Sequence, residues 1–258
     1  MSKSKSKKSY TPIVLIDADI WLYRACDGAI EEIVWDDDGI VSIYCDLNAA
    51  KRSIDGLSKI YADLGEMVFC LSEGESFRKQ IFESYKSNRA GKRKPVGLKQ
   101  LKDWLKAEHN TKFISGLEGD DIIGILATKT KDREVIMVSD DKDLNTVPGR
   151  LIRLGEDITN SIGSAWWYTY YQALTGDMTD GYPGLKGCGP KGAEKLLGSR
   201  EKASDDFEAV GWPIVERAFC DAGMTSDDAV SMVRCAKILT NDLWTGKEPK
   251  LWLPPVIA

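Results

Sequence analysis

IVLIDAD, residues 13–19, is a short apolar run that ends at two aspartates. Four apolar residues in succession, too few for a helix, read as a strand buried on both faces, as in a parallel sheet. The pattern recurs downstream: Met67–Cys70 leads to Glu73, and Val135–Val138 leads to Asp141 and Asp143. Acidic residues placed just past such strands collect along one edge of the sheet. Glu118 with Asp120 and Asp121, and Asp177 with Asp180, bring the acidic clusters to five, Asp17 with Asp19 being the first. Carboxylates so crowded repel one another, and their hard oxygens suit Mg²⁺ or Mn²⁺, which offset the repulsion. The pattern points to metal-dependent phosphoryl chemistry.

Working outward, a strand is expected at Ile13–Ala18, a helix near Ile20–Ala29, and a hairpin through Ile33–Trp35 and Ile40–Cys45, turned at DDDG. A helix from Asp46 to about Asp63 and a strand at Met67–Leu71 follow. Helical periodicity marks Val96–Glu108 and Gly119–Lys131, the latter with Ile122, Ile123, Leu126 and Ala127 on one face. Next come a strand at Glu134–Ser139, a short strand at Leu151–Leu154 and a helix at Ser164–Thr175, with mainly helical sequence beyond. Alternating β and α elements followed by helices give an α/β fold: a mostly parallel central sheet flanked by helices, with a helical C-terminal part. Residues 1–10 read as a disordered basic tail, 11–175 as the α/β core, and 176–258 as the helical part, packed on the core as one compact unit.

Composition narrows the function. With 258 residues, 43% hydrophobic and 29% charged, the chain can bury a substantial core. No apolar run reaches the roughly 18 residues that span a bilayer, and no apolar core follows the N-terminal lysines, so a cytoplasmic protein without membrane contact is expected. The six cysteines form no CxxC pair, which argues against a zinc knuckle or a disulfide framework. The lone histidine, His109, reads as a surface helix residue and leaves no material for a histidine triad. WWYTYY at 166–171, Trp104 and Trp244 read as core rather than as base-stacking residues.

The net charge of −5 argues against a nucleic-acid partner until its distribution is considered. From Arg78 to Lys106 ten basic residues meet two acidic ones, Glu83 and Asp103, so this strip carries +8 and the remainder −13. A cationic strip facing an acidic metal pocket suits an enzyme that holds a polyanion while metals act on it. Arg78, Lys79, Lys92, Arg93 and Lys94 are candidate phosphate contacts, and Tyr85 either stacks on a base or packs. GLKGCGPKGAEKLL at 184–197 cannot accommodate a P-loop; its glycines suit a tight turn where backbone N–H groups approach phosphates, with Lys191 and Lys195 adding charge.

LIDADIWLYRA at 15–25, SFRKQIFESYKSNR at 76–89, GLEGDDIIGILA at 116–127, SDDKDL at 139–144 and GDMTDGYPGLKGCGPKGAEKLL at 176–197 together resemble the 5′-nuclease, or flap endonuclease, superfamily. AGMTSDDAVSMVRCAKIL at 222–239 and the LWLPP ending look most like the 5′→3′ exonucleases of short-tailed lytic phages. The resemblance implies a 5′-nuclease/PIN-like fold with a helical arch at about 76–106 that admits single-stranded 5′ ends, and a helix-turn-helix-type hairpin that holds duplex DNA. It makes Asp17, Glu118, Asp120, Asp121, Asp141, Asp143, Asp177 and Asp180 the ligands of two catalytic metals. Lys86 and Arg89 match the family's basic pair near the scissile phosphate. Gly187 and Gly189 fall in the duplex-holding hairpin, where the family commonly binds K⁺.

Two positions depart from the family's pattern. Where an aspartate is usual after the second strand, this chain reads CLSEGESF, and Glu73 is the stand-in; where Asn is usual after the GDxxD pair, it has Gly181. The expected protein is a monomeric exodeoxyribonuclease using two Mg²⁺ or Mn²⁺ ions on duplex DNA with 5′ ends or flaps, and on RNA–DNA hybrid during primer removal. In a phage it would serve DNA replication, recombination and host DNA degradation in the host cytoplasm. A related metal-dependent RNase and a non-catalytic DNA junction-binding protein are the alternatives.

Overall fold

The computed structural model describes residues 10–35 and 39–256; the basic tail at 1–9 and the three aspartates of the hairpin turn at 36–38 lie outside the described residues. In chain order the elements are β1 (Ile13–Asp17), α1 (Ala18–Asp27), β2 (Ile30–Trp35), β3 (Ile40–Cys45), α2 (Leu47–Tyr61) and β4 (Glu66–Glu73). Then come α3 (Arg78–Ile81), α4 (Leu98–Glu108), β5 (Thr111–Ser115), α5 (Gly119–Lys129), β6 (Val135–Val138), β7 (Gly149–Arg153) and β8 (Glu156–Asn160). Helices α6 (Ile162–Thr175), α7 (Pro190–Leu197), α8 (Phe207–Asp221) and α9 (Ser226–Ala236) form the C-terminal part.

Six strands make the central sheet in the order β5-β4-β1-β6-β7-β8, and β2 pairs with β3 in a separate hairpin. All neighbours in the central sheet are parallel except β7 and β8. The apolar runs at β1, β4 and β6 occupy the sheet centre, where both faces are covered. Alternate residues feed two cores, as the two-residue period of a strand requires. Val14, Ile16, Phe69, Leu71, Ile136 and Val138 pack on the face covered by α1, α2 and α4, with Leu22, Ile54, Leu101 and Leu105. Leu15, Val68, Cys70 and Met137 pack on the other face, under α5 and the C-terminal helices, with Ile123, Tyr170 and Val233. Trp166, Trp167 and Tyr170 are buried there, so WWYTYY is core.

Local chemistry sets several boundaries. Asp46 caps α2 by accepting from the backbone N–H groups of Asn48 and Ala49, while Thr225 and Asp228 form a reciprocal capping box on α9. Two strands carry no strong sequence signal. Both are edges: β5 (TKFIS) and β8 (EDITN) expose alternate or most residues, so neither shows an apolar run. β8 returns on β7 through Leu154 and Gly155, whose φ angles of 51° and 82° are the positive pair of a type I′ turn.

The basic stretch is helical only in pieces. α3 covers four residues and a 3₁₀ turn spans Ser87–Arg89; the following coil carries Lys92, Arg93 and Lys94 exposed to solvent. Gly91, Pro95 and Gly97 interrupt helix formation in this coil. α4 then leaves the strip and packs on the sheet, with Leu98, Leu101 and Leu105 buried.

Candidate active site

Asp17 follows Leu15 in alternation, so it faces the α5 side at the C-terminal end of β1. It is buried, and Ser139 Oγ, at the end of β6, donates to it at 2.6 Å. Burial, opposed by that hydrogen bond, raises its pKa to about 7, and the charges of Asp19 and Asp141 push the same way. Ser139 Oγ also accepts from Asp141 N–H at 3.0 Å. Asp141 in turn caps the 3₁₀ turn Lys142–Thr146 by accepting from Asp143 N–H at 2.9 Å. Gln172 of α6 donates to Asp143 from its side chain. Burial and the Asp141 charge raise Asp143 to about 6.

The N-terminus of α5 supplies the second group. One carboxylate oxygen from each of Glu118, Asp120 and Asp121 lies within 4.8 Å of the others. Glu118 accepts from Tyr85 Oη at 2.9 Å, Ser76 Oγ at 3.1 Å and Arg78 at 3.1 Å, and pairs with Lys86. Burial would raise its pKa, but Lys86 and Arg78 beside it hold it near 2. For Asp120 burial and its acidic neighbours Glu118 and Asp121 outweigh the charges of Lys86 and Arg78 and push it well above the usual carboxylate range.

The turn after α6 closes the arrangement. Asp177 folds it by accepting from the N–H groups of Thr179 and Asp180, at 2.7 and 3.1 Å, and pairs with Lys142. Asp180 accepts from Arg89 at 2.8 Å, lies 2.8 Å from Tyr85 Oη, whose single proton it shares with Glu118, and lies 3.5 Å from Lys86 Nζ. The backbone of Lys86 donates to Asp180 O at 2.6 Å, and Asn88 Nδ2 donates to Met178 O and Thr179 O. YKSNR is thus docked on the GDxxD turn. Lys86 adopts a left-handed backbone, φ 53° and ψ 19°, a conformation that costs a non-glycine residue energy and is held here by these contacts. Gly181 accounts for its own departure from the family pattern. Its φ is 75°, and a Cβ there would stand 3.0 Å from Ser84 O, so a side chain would strain the backbone and crowd YKSNR against the turn.

One sheet edge therefore gathers Asp17, Glu118, Asp120, Asp121, Asp141, Asp143, Asp177 and Asp180, with Lys86 and Arg89 among them. Several expectations are corrected, among them the metal-ligand role of Asp121. Arg78 is no phosphate contact: it is 2% exposed, forms a two-pronged pair with the fully buried Asp121 at 2.7 and 2.8 Å, and donates to the carbonyls of Cys235 and Lys237. Asp121, which also accepts from Leu239 N–H, is committed to that anchor. Tyr85 is also buried; its hydroxyl bridges Glu118 and Asp180, and its ring stacks on Tyr182 at 6.4 Å rather than meeting solvent. Glu73 follows Leu71 in alternation, which sends it to the α4 face, where it pairs with Lys106. The residue of β4 that faces the acidic edge is Ser72, whose Oγ accepts from Gly119 N–H at 2.9 Å.

The remaining basic candidates stand at the surface. Lys79, Lys92, Arg93 and Lys94 are exposed on the strip, and Gly187, Gly189, Lys191 and Lys195 are exposed around the N-terminus of α7. Sequence reasoning missed Ser139, Lys142, Gln172 and Tyr182. Ser139 and Lys142 lay in plain view inside SDDKDL; Gln172 and Tyr182 reach the site only through the packing of α6 and the turn after it. His109 is half-buried, edge-on to Phe69 and Trp104, rather than a surface residue.

The donor set fits divalent metal. It consists of hard oxygens, and its acids outnumber the cations Arg78, Lys86, Arg89 and Lys142 that pair with them. Two buried polar atoms beside Asp143, Tyr182 Oη and Gln172 Oε1, find no partner among the described residues. Such atoms in a native interior await a water or an ion.

Comparison with known proteins bears on the family and the fold. The chain is 26% identical to the exonuclease of Escherichia phage T7, over 94% of this chain and 93% of that protein. It is 26% identical to a 5′-3′ exonuclease of Mycobacterium tuberculosis H37Rv, over 72% of this chain and 70% of that one. The fold is shared with the phage T5 D15 protein co-crystallised with metal ions, at a TM-score of 0.60 and 16% identity, covering 88% of this chain and 89% of that one. A family profile described as 5′-3′ exonuclease, N-terminal resolvase-like domain, matches residues 12–165. The chain belongs to the 5′-3′ exonuclease family of nucleases.

Proposed function

We propose that this nuclease hydrolyses DNA from 5′ ends of duplex substrates with two divalent cations, Mg²⁺ or Mn²⁺, and that flaps and RNA–DNA hybrids are further substrates. The observation that carries the reading is the convergence of three acidic groups, from β1 and β6, from α5 and from the turn after α6, on one edge with Lys86 and Arg89. When bound, two divalent ions would activate the attacking water and stabilise the leaving oxygen of the phosphodiester. Asp17, Glu118, Asp120, Asp141, Asp143, Asp177 and Asp180 would hold them. Lys86, released from Glu118 and Asp180 by the incoming metal charge, would neutralise charge developing on the phosphoryl oxygens. Arg89, half-exposed at the rim, would grip a neighbouring phosphate with both prongs of its guanidinium.

The duplex would lie along the loop before α7. Gly187 and Gly189 are exposed, and a Cβ at either would meet nothing within 4 Å, so a phosphate could approach the backbone closely there, with Lys191 and Lys195 adding charge. A K⁺ ion in this loop belongs to the same reading, as do a monomeric state and a place in the host cytoplasm during phage replication. The phage T7 relative, named an exonuclease, and a T5 D15 flap endonuclease complex with DNA and metal ions support the substrate class. Among the described residues no helix is long and apolar enough to cross a membrane.

The test is the product pattern from 5′-labelled and 3′-labelled duplex, flap and RNA–DNA hybrid with Mg²⁺. Asp141→Asn should abolish cleavage while DNA binding in Ca²⁺ survives, because the phosphate contacts remain. Near-normal turnover in that variant would remove the metal assignment.

A further inference from the structure

The β4 edge poses a question of charge. Its last residue, Glu73, points to the α4 face, and the residue that points to the acidic edge, Ser72, carries no charge. β1 and β6, by contrast, each present aspartate to that edge. A second acidic residue reaches the vacant position from elsewhere in the chain. Asp19, in the first turn of α1, accepts from Ser72 N–H through Oδ2 at 2.7 Å. Its other oxygen accepts from Lys102 of α4 at 2.6 Å. Asp19 is thereby fixed across β4 at the level of Ser72, and Ser72 Oγ holds Gly119, the residue between Glu118 and Asp120.

Gly119 makes this approach possible. A Cβ on residue 119 would stand 3.2 Å from Asp19 Oδ2 and 3.1 Å from Cys70 O, so a side chain at 119 would crowd the Asp19 carboxylate. The carboxylate therefore sits against the N-terminus of α5, close enough to Asp17 for the two charges to act on each other. Each of its oxygens keeps a second lone pair after the contacts to Ser72 and Lys102.

We infer that Asp19, and not Glu73, supplies the carboxylate of the β4 edge to the divalent metal site, with Ser72 N–H and Lys102 orienting it. This rests on the metal-dependent reading of the edge. The chain has moved an acidic ligand from the second strand to the first helix. Asp19 reaches the position that an aspartate at 72 would fill, because the turn from β1 into α1 lies beside β4 in the parallel sheet.

Metal binding is measured directly, by the loss of free Mn²⁺ signal in electron paramagnetic resonance titrations of the full chain without DNA. Asp19→Asn keeps an oxygen for Ser72 N–H, so the fold should hold, and it should weaken Mn²⁺ binding at one site by about tenfold or more, the scale of a lost ligand or its support. Glu73→Gln should titrate within about twofold of the parent. Ser72→Asp added to Asp19→Asn should restore affinity, since the carboxylate returns to the same edge from the strand. Parent-like titration by Asp19→Asn, or a tenfold loss in Glu73→Gln with none in Asp19→Asn, would overturn the inference. Asp141→Asn in the same titration separates the two readings: if it too binds Mn²⁺ like the parent, the metal site itself is misplaced. Should Asp19→Asn fail to fold, Gly119→Ala crowds Asp19 without removing it and should weaken the same site.

Discussion

Replacing Arg78 by alanine removes the one cation that, among the described residues, pairs with Asp121, which is fully buried. An uncompensated buried charge of this kind costs about 3–5 kcal/mol. The carbonyls of Cys235 and Lys237 lose their guanidinium donor in the same step, adding about 1 kcal/mol or more where water does not replace it. A loss of about 4–6 kcal/mol, at about 2–4 °C per kcal/mol for a chain of this size, predicts a melting temperature lower by about 8–24 °C. The assay is thermal and urea unfolding followed by circular dichroism, in EDTA so that metal does not contribute. A control fixes the cause. Arg78→Met with Asp121→Leu replaces the pair by apolar groups and leaves no naked charge, so the double variant should be more stable than Arg78→Met alone. Below its melting range, Arg78→Ala should bind duplex within about twofold of the parent, because its guanidinium does not reach solvent. Arg78→Ala melting within about 2 °C of the parent, or losing DNA affinity with its stability intact, would refute the anchoring role.

The clamp and the duplex surface should separate kinetically: Lys86→Ala should lower the single-turnover rate far more than duplex affinity, while Lys191→Ala with Lys195→Ala should weaken binding and reduce its salt slope by nearly one log unit per lost phosphate contact. Equal effects on rate and affinity from Lys86→Ala would place it in binding alone. The pH response has a definite sign: Asp17 and Asp143, raised to about 7 and about 6, bind more protons folded than unfolded between pH 4 and 7. Metal-free protein should therefore lose melting temperature as pH rises through that window, and Mg²⁺ at pH 7.5 should recover it by taking the place of the protons. Glu118, held near 2, works oppositely, but only below about pH 4.5, where its stabilisation is lost as pH falls. A flat melting profile in EDTA from pH 4.5 to 7.5 would contradict the crowding of these acids.

Much of this site was written in local sequence. Apolar runs of four or five residues ending in acids specify strands and put their carboxylates at the C-terminal edge, because a parallel sheet aligns every such end. That reasoning placed Asp17, Asp141 and Asp143, and the helical periodicity from Gly119 placed Glu118, Asp120 and Asp121 at the start of α5. The edge strands β5 and β8 stayed hidden because a strand covered on one face or at one side needs no apolar run.

What the sequence by itself determined is the inventory of the site: which acids end strands, where the basic strip runs, and that their chemistry calls for divalent metal. Tertiary structure decided which way each side chain faces and which charge meets which. A one-residue step along β4 separates Glu73 on the α4 face from Ser72 on the catalytic edge, and no spacing rule says which residue is last to be paired. Arg78 looks like any other member of a basic run until α9 and the segment after it fold over it, enclosing it with Asp121 and making it an anchor. Asp19 and Ser72, 53 residues apart, meet only because β1 and β4 lie side by side. Partners so distant in the chain leave no periodic trace, since their pairing is fixed by sheet order and packing rather than by any local preference of the backbone.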